Sequence, residues 1–568
     1  MFQIGFAKKD ITPPPMGELM MGWGEFTQRA NKIGTPIYAR AVALKGESGN
    51  WFVLACLEIC FVTQAVRDEV LQRLRERAPE LNFTEENVLL CATHTHCAPG
   101  GHSHDVLYSL PSFGWYPHVV EKYSEGAASA ILEACKNAIP GKIRFAEDQI
   151  PLDQPVAFNR SIKSWNQNSD VPHFEEKHRD QALDRTMRLF RFEDMNGNFI
   201  GCLNDFAVHC TSVHSNYSMI HSDNKGLAAT QLEEELGGVC IFTQGAAGDV
   251  SPNFKYYRGL RDCRGTNRDD LISASDNAKM QAAMASKLVR VAGKSEPISS
   301  ELDSVLEYFD LSSVSVDPID IGGLAGCQTG PAVIGATALR GTAEGMPTPT
   351  ILYILLQVMS RITDFFHFVW KTLHFKEAPL WNHNEIQGRK IACIQTGQSE
   401  LFKSTKLSLL FLPSFLDPLV KQFKYWDKKG ILKKRPFTAQ ILPIQIVRIG
   451  PWAWIAVPAE FTTTSGRRLK ASVLAEVKRL GIKQVMLIGY SNAYAGYVTT
   501  PEEYQMQAYE GSSTHFGLWT QPAYQTLFRR LAKRLLVPKS DRPKASELRP
   551  PVITKEELEI LKSKPLKK

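Results

Sequence analysis

No stretch of this 568-residue chain reaches the roughly 18 consecutive uncharged apolar residues that a membrane-spanning helix needs, so a polytopic membrane protein is excluded. No CxxC pair occurs among its 11 cysteines, which argues against a Cys-based zinc site. The cysteine number is odd, and Cys56, Cys60, Cys91, Cys202 and Cys240 lie inside apolar runs, the pattern of reduced, buried thiols. The chain has no internal repeat. It has no leader-like order of charges followed by an apolar run either, because the apolar run Met1–Phe6 precedes Lys8 and Lys9. The expectation is a cytoplasmic protein, one exported without a cleaved leader, or one numbered from a mature end. A basic body is also lacking. Of the net +7, most lies from Leu531 onward, where 11 Lys and Arg face 5 Asp and Glu, so nucleic acid is not an expected partner. That tail reads as a solvated terminus, with attraction to an anionic membrane as the alternative.

What is present is an ordinary globular composition, 43% hydrophobic and 22% charged. Segments with strand character (residues 39–44, 51–56, 87–92, 198–208, 239–243) alternate with helical spacing at 64–77 and 119–137. Such alternation predicts a layered α/β fold. A second cluster follows, with strands at 440–449, 452–457 and 484–489 and helices at 462–480 and 518–536; residues 555–563 form one short helix in the tail. Pro349–Phe375 departs from this habit. Its polar residues form one narrow stripe and the rest is a broad apolar face. It reads either as a core helix, or as a helix that lines a lipid-binding cleft or rests on a membrane surface.

Several apolar strands end in chemistry-bearing residues. Asn87–Gly101 runs NVLLCATHTHCAPGG; on a strand His94 and His96 point the same way, a start for a metal site or two polar loop histidines. His209 ends the strand in NDFAVHCTSV and is a ligand or a satisfied structural residue. In VCIFTQGAAGDVSPN, Ser251 is a nucleophile, a hydrogen-bonding residue or a turn former; no G-x-S-x-G elbow surrounds it. Glu460 ends a strand before a helix in VPAEFTTTSGRRL. The stretch 489–517 carries Tyr490, Tyr494, Tyr497, Tyr504 and Tyr509, dense enough for a binding surface or a packed polar loop.

In combination and order these motifs, with KKDITPP, MMGWGEFTQ, FNRS and YVTTPEEYQMQAYEG, resemble the neutral/alkaline non-lysosomal ceramidases over roughly residues 4–535. The resemblance implies a zinc amidase that hydrolyses the N-acyl bond of ceramide to sphingosine and a fatty acid by attack of a zinc-bound water. It implies His94, His209, Glu460 and Tyr497 as Zn2+ ligands and His96 as general acid/base. Arg160 and Tyr509 would hold the scissile carbonyl, and Ser251 would be nucleophile or substrate contact. The second role is preferred, because a serine without a paired base is a poor nucleophile.

The implied layout is a mixed-sheet catalytic domain over 1–536, with an apolar lipid-facing insert at 340–376 and the basic tail at 537–568. Peripheral membrane contact is expected through 349–375 and the tail. Three departures accompany the resemblance: the family's C-terminal β-sandwich is expected to be absent, the leader usual in its secreted or membrane-attached members is not seen, and about 332–390 matches poorly. Because that region shapes the substrate pocket, the alternatives are a zinc amidase on another N-acyl lipid or hydrophobic amide, or a non-catalytic lipid-binding relative.

Overall fold

Two β-sheets pack face to face and helices cover both outer sides. The structure, a computed structural model, describes residues 1–47, 49–260, 262–342, 386–397, 418–433 and 435–563, with isolated positions between 354 and 369. The large sheet has eight strands in the spatial order Val88–Ala92, Trp51–Leu57, Tyr38–Lys45, Phe2–Asp10, Ile139–Gln149, Thr186–Asp194, Phe199–Phe206, Val239–Gln244. The outermost pair at each edge is parallel and the inner pairs are antiparallel. The second sheet has the order Leu302–Asp310, Ile441–Ile449, Trp452–Ala456, Gln484–Ile488, with the last pair parallel.

Strands buried on both faces read as continuous apolar runs, and this is why their positions are visible in the sequence. In Trp51–Leu57, Phe52, Leu54 and Cys56 face the second sheet, while Val53, Ala55 and Leu57 face the helices Gln64–Arg77 and Pro117–Lys136. The other half of the outer face packs on Asp223–Leu236 and Asp270–Ala292. Phe190 meets both Trp452 and Trp454 across the sheet interface, with ring centroids 5.1 Å apart in each pair. Trp454 is completely buried there, so truncation to Ala would cost roughly 3–5 kcal/mol. On the far side, Ile444, Ile455 and Leu487 pack on the helices Thr463–Val477 and Thr520–Leu535.

Among the described residues, the basic tail is anchored to the body through its short helix. Its helix Lys555–Leu561 begins with a Thr554/Glu557 capping box. Leu561 is buried and its carbonyl accepts from Trp115 N–H at 2.8 Å, while Glu557 pairs with Arg435 at 2.7 Å. The apolar segment 349–375 lies outside the described residues except at isolated positions. Three of these, Ile354, Val358 and Ile362, are helical and about half exposed, at 50%, 47% and 49%. Among the described residues no helix is long and apolar enough to cross a membrane, and ten of the cysteines are free thiols.

Candidate metal centre

Segments that follow strands of both sheets meet at one buried point. The strand Val88–Ala92 stops before the histidines, so strand alternation is not what pairs them. His94 sits in the left-handed region with φ 74°, and the chain is then pinned by an isolated parallel bridge between Thr95 and Cys210. That bridge sets His94 and His96 beside His209, which follows the strand Phe199–Phe206. A non-glycine residue in that region costs on the order of 1–3 kcal/mol and persists only where its surroundings hold it. From a separate two-stranded parallel sheet, which follows the strands Trp452–Ala456 and Gln484–Ile488 in sequence, Glu460 and Tyr497 face each other directly as register partners in the pair Glu460–Phe461 and Tyr497–Val498.

The side chains converge accordingly. Glu460 Oε2 lies 3.5 Å from His94 Nε2 and 3.2 Å from His209 Nε2. The Tyr497 hydroxyl lies 3.4 Å from His209 Nε2. His94 Nδ1 is 2.6 Å from the Cys60 carbonyl and His209 Nδ1 is 3.0 Å from the Val250 carbonyl. A carbonyl can only accept, so both Nδ1 atoms carry a proton and both Nε2 atoms face the centre. Burial foremost draws His94 down to about 4, against the opposing pull of Glu460, so its imidazole is neutral at pH 7. Burial alone would raise the Glu460 carboxyl, but His94, His209 and the Tyr494 hydrogen bond hold it well below the usual carboxylate range. Two imidazoles with Nε2 turned inward, one carboxylate and one phenol oxygen make a donor set that fits a borderline divalent ion. The ligand atoms of His94, His209 and Glu460 all lie within 4.8 Å of one another.

His96 stands beside this set, with its Nε2 3.1 Å from His94 Nε2. Its Nδ1 is buried without a hydrogen-bond partner. Burial, then the neighbouring His94 and His209, push its pKa well below the usual histidine value. Arg160 donates to Glu510 Oε1 and Gly248 O, both at 2.8 Å, and to the Tyr497 hydroxyl at 3.2 Å. Its guanidinium lies over the Tyr509 and Tyr497 rings at 5.5 and 5.9 Å. Arg160, Tyr497 and Tyr509 are therefore one cluster. Ser251 is buried, and its Oγ accepts from Asn253 N–H at 2.9 Å and donates to Asn253 O at 3.4 Å. That is a turn-forming arrangement, and no base is among these hydrogen-bond partners.

Some contributors were not singled out by the motifs. The carbonyls of Cys60 and Val250 that set the histidine tautomers carry no side-chain signature. Glu510 holds both Arg160 and Ser161 Oγ. Trp23 meets His96 edge-on, with centroids 5.3 Å apart, and stacks on His214 at 5.0 Å.

A buried two-histidine, carboxylate and tyrosine cluster at the meeting of two sheets, with a third histidine alongside, is the layout of a metallohydrolase centre. The model of the neutral/alkaline non-lysosomal ceramidase family, N-terminal part, matches residues 2–408 and 427–526, and the chain belongs to that family. The neutral ceramidase of Pseudomonas aeruginosa is 30% identical over 533 residues, covering 93% of this chain and 71% of that protein. Neutral ceramidase B of Dictyostelium discoideum is 31% identical over 567 residues, covering 94% and 72%. Among solved structures, a ceramidase complexed with C2 superposes with a TM-score of 0.77 at 29% identity, covering 96% of this chain and 77% of that one. The crystal structure of the Pseudomonas aeruginosa neutral ceramidase gives 0.75 at 28%, covering 97% and 76%.

Proposed function

We propose that this chain is a zinc amidase that hydrolyses the N-acyl bond of ceramide to sphingosine and a free fatty acid. The observation that carries the reading is the convergence of His94, His209, Glu460 and Tyr497 with both histidine Nε2 atoms turned inward by backbone carbonyls. These four residues would hold the ion. When bound, zinc supplies Lewis acidity for the amide carbonyl and a water acidified enough to act as nucleophile near neutral pH. The chain's own residues do the rest. His96 is kept neutral by burial, and its Nε2 is the atom close enough to take a proton at the centre and return it to the leaving amine. Arg160 is fixed by Glu510 and Gly248, and with Tyr509 it orients the carbonyl and meets the charge that develops there. Ser251, engaged with Asn253 and lacking a base among its partners, serves as a substrate contact rather than as nucleophile.

Residues 1–536 form the catalytic unit in this reading. Peripheral membrane contact through 349–375 and the basic tail is part of it, supported by the exposed Ile354, Val358 and Ile362. The test is metal content and hydrolysis by purified protein, with and without chelator, on ceramide against an N-acylated amino acid. His209→Ala should lose most of the zinc and all activity. Full zinc occupancy in that variant sinks the ligand assignment, and turnover of the amino-acid amide alone sinks the substrate.

A further inference from the structure

We propose that Tyr490 and Tyr494 are positioning residues of the metal centre, their two hydroxyls clamping the two oxygens of Glu460 so that one lone pair of Oε2 is held toward the ion. The inference rests on the metal-binding role given to Glu460 above. Tyr490 donates to Oε2 at 3.1 Å and Tyr494 donates to Oε1. A carboxylate offers about four lone-pair sites. With Oε1 engaged by one phenol and Oε2 by the other, the remaining lone pair of Oε2 lies on the side of His94 and His209. The carboxylate is thereby set for one-oxygen binding before any ion arrives.

The clamp is itself rigid. The Tyr490 ring stacks on the His94 imidazole, with centroids 4.0 Å apart, so one tyrosine fixes two ligands of the centre. The Tyr494 ring stacks on Phe61 at 3.9 Å and nearly parallel, at 6°. Their loop is tied into both sheets. Asn492 N–H donates to Leu90 O at 2.9 Å, Leu90 N–H donates to Asn492 Oδ1 at 3.1 Å, and Asn492 Nδ2 donates to Gln445 Oε1 at 2.8 Å. Leu90 belongs to the strand that leads to His94, and Gln445 to the sheet that leads to Glu460. Tyr490 and Asn492 hold positive φ angles of 55° and 64°, backbone that survives only because these bonds fix it.

The experiment replaces each tyrosine alone, Tyr490→Phe and Tyr494→Phe. Zinc affinity is read by chelator competition and the ligand field by the visible spectrum of the cobalt(II)-loaded protein. Phe keeps each stacked ring and removes only the hydroxyl. Affinity should fall about 10–100-fold in each variant, as when other outer partners of metal ligands are removed, with a shifted cobalt band. Affinity within twofold of wild type in either variant that folds, with an unshifted spectrum, would mean that its ring merely packs, and the clamp is overturned. Wild-type protein that retains no zinc overturns the metal reading itself, and the clamp with it. A zinc-replete wild type with unaffected variants overturns the clamp alone.

Discussion

Gly22 offers a direct test of how closely His96 is held. Its φ of 123° is open only to glycine, and a β-carbon there would stand 2.3 Å from His96 Cγ and 2.6 Å from both Cδ2 and Nδ1. Ordinary contact begins near 3.4 Å, so Gly22→Ala forces the imidazole or the loop to shift by about 1 Å, a displacement that can cost on the order of 10²-fold in rate. The loop has little room to retreat. Met21 N–H is bonded to Ala98 O at 3.0 Å, and Trp23 is anchored by its stack on His214 and by a 3.3 Å bond to Val213 O. The ring therefore gives way. The three atoms nearest the added carbon all belong to His96, so zinc content should persist while kcat falls. Gly24→Ala is the control: its φ is 70° but nothing lies within 4 Å of the added carbon, so it introduces backbone strain of about 1–3 kcal/mol without striking His96. Zinc content, melting temperature and kcat on ceramide are measured for both. Gly22→Ala with wild-type kcat, or Gly24→Ala with an equal loss, would refute the reasoning.

His96→Ala should keep its zinc and lose on the order of 10²–10⁴ in rate; zinc loss matching that of His94→Ala would make His96 a ligand instead. Rapid-quench mass spectrometry should find no acyl group on Ser251, and a trapped adduct there would establish the covalent route. Burial lifts the Asp105 carboxyl to about 7, against the pull of Arg435. A carboxyl raised above its unfolded value contributes stability that is complete below about pH 4 and is lost as the pH climbs through about 7. Asp105→Asn should therefore gain melting temperature relative to wild type between pH 5 and pH 8, and an equal offset at both pH values would count against that burial effect.

The strands that lead to the centre were legible because they are buried on both faces, and the helix at 64–77 has the bounds its spacing predicts. The strand Ile139–Gln149 escaped because its sequence, IPGKIRFAEDQ, mixes Pro, Gly and charges and leaves much of one face exposed. The long helix Asp270–Ala292 packs through Ala278, Ala282 and Ala285, so its apolar stripe is faint. At the site, the tyrosine density of 489–517 was visible but not which hydroxyls turn to Glu460. That depends on left-handed backbone at two non-glycine positions, which no local propensity announces. The pairing of His94 with His96 was expected for the wrong reason. Alternation along a strand suggested it, and a left-handed turn with a bridge to Cys210 produces it.

The direct register of Glu460 against Tyr497 also bears on when the centre can exist. Two histidines emerge early in synthesis, yet the carboxylate and phenol that complete the set are contributed by a pair of strands near the other end of the chain. Until those strands are made, His94 and His209 lack the carboxylate and the phenol of the set. The four-residue set is therefore complete only when segments separated by some 400 residues of sequence have come together, so it belongs to the finished fold and to no local motif.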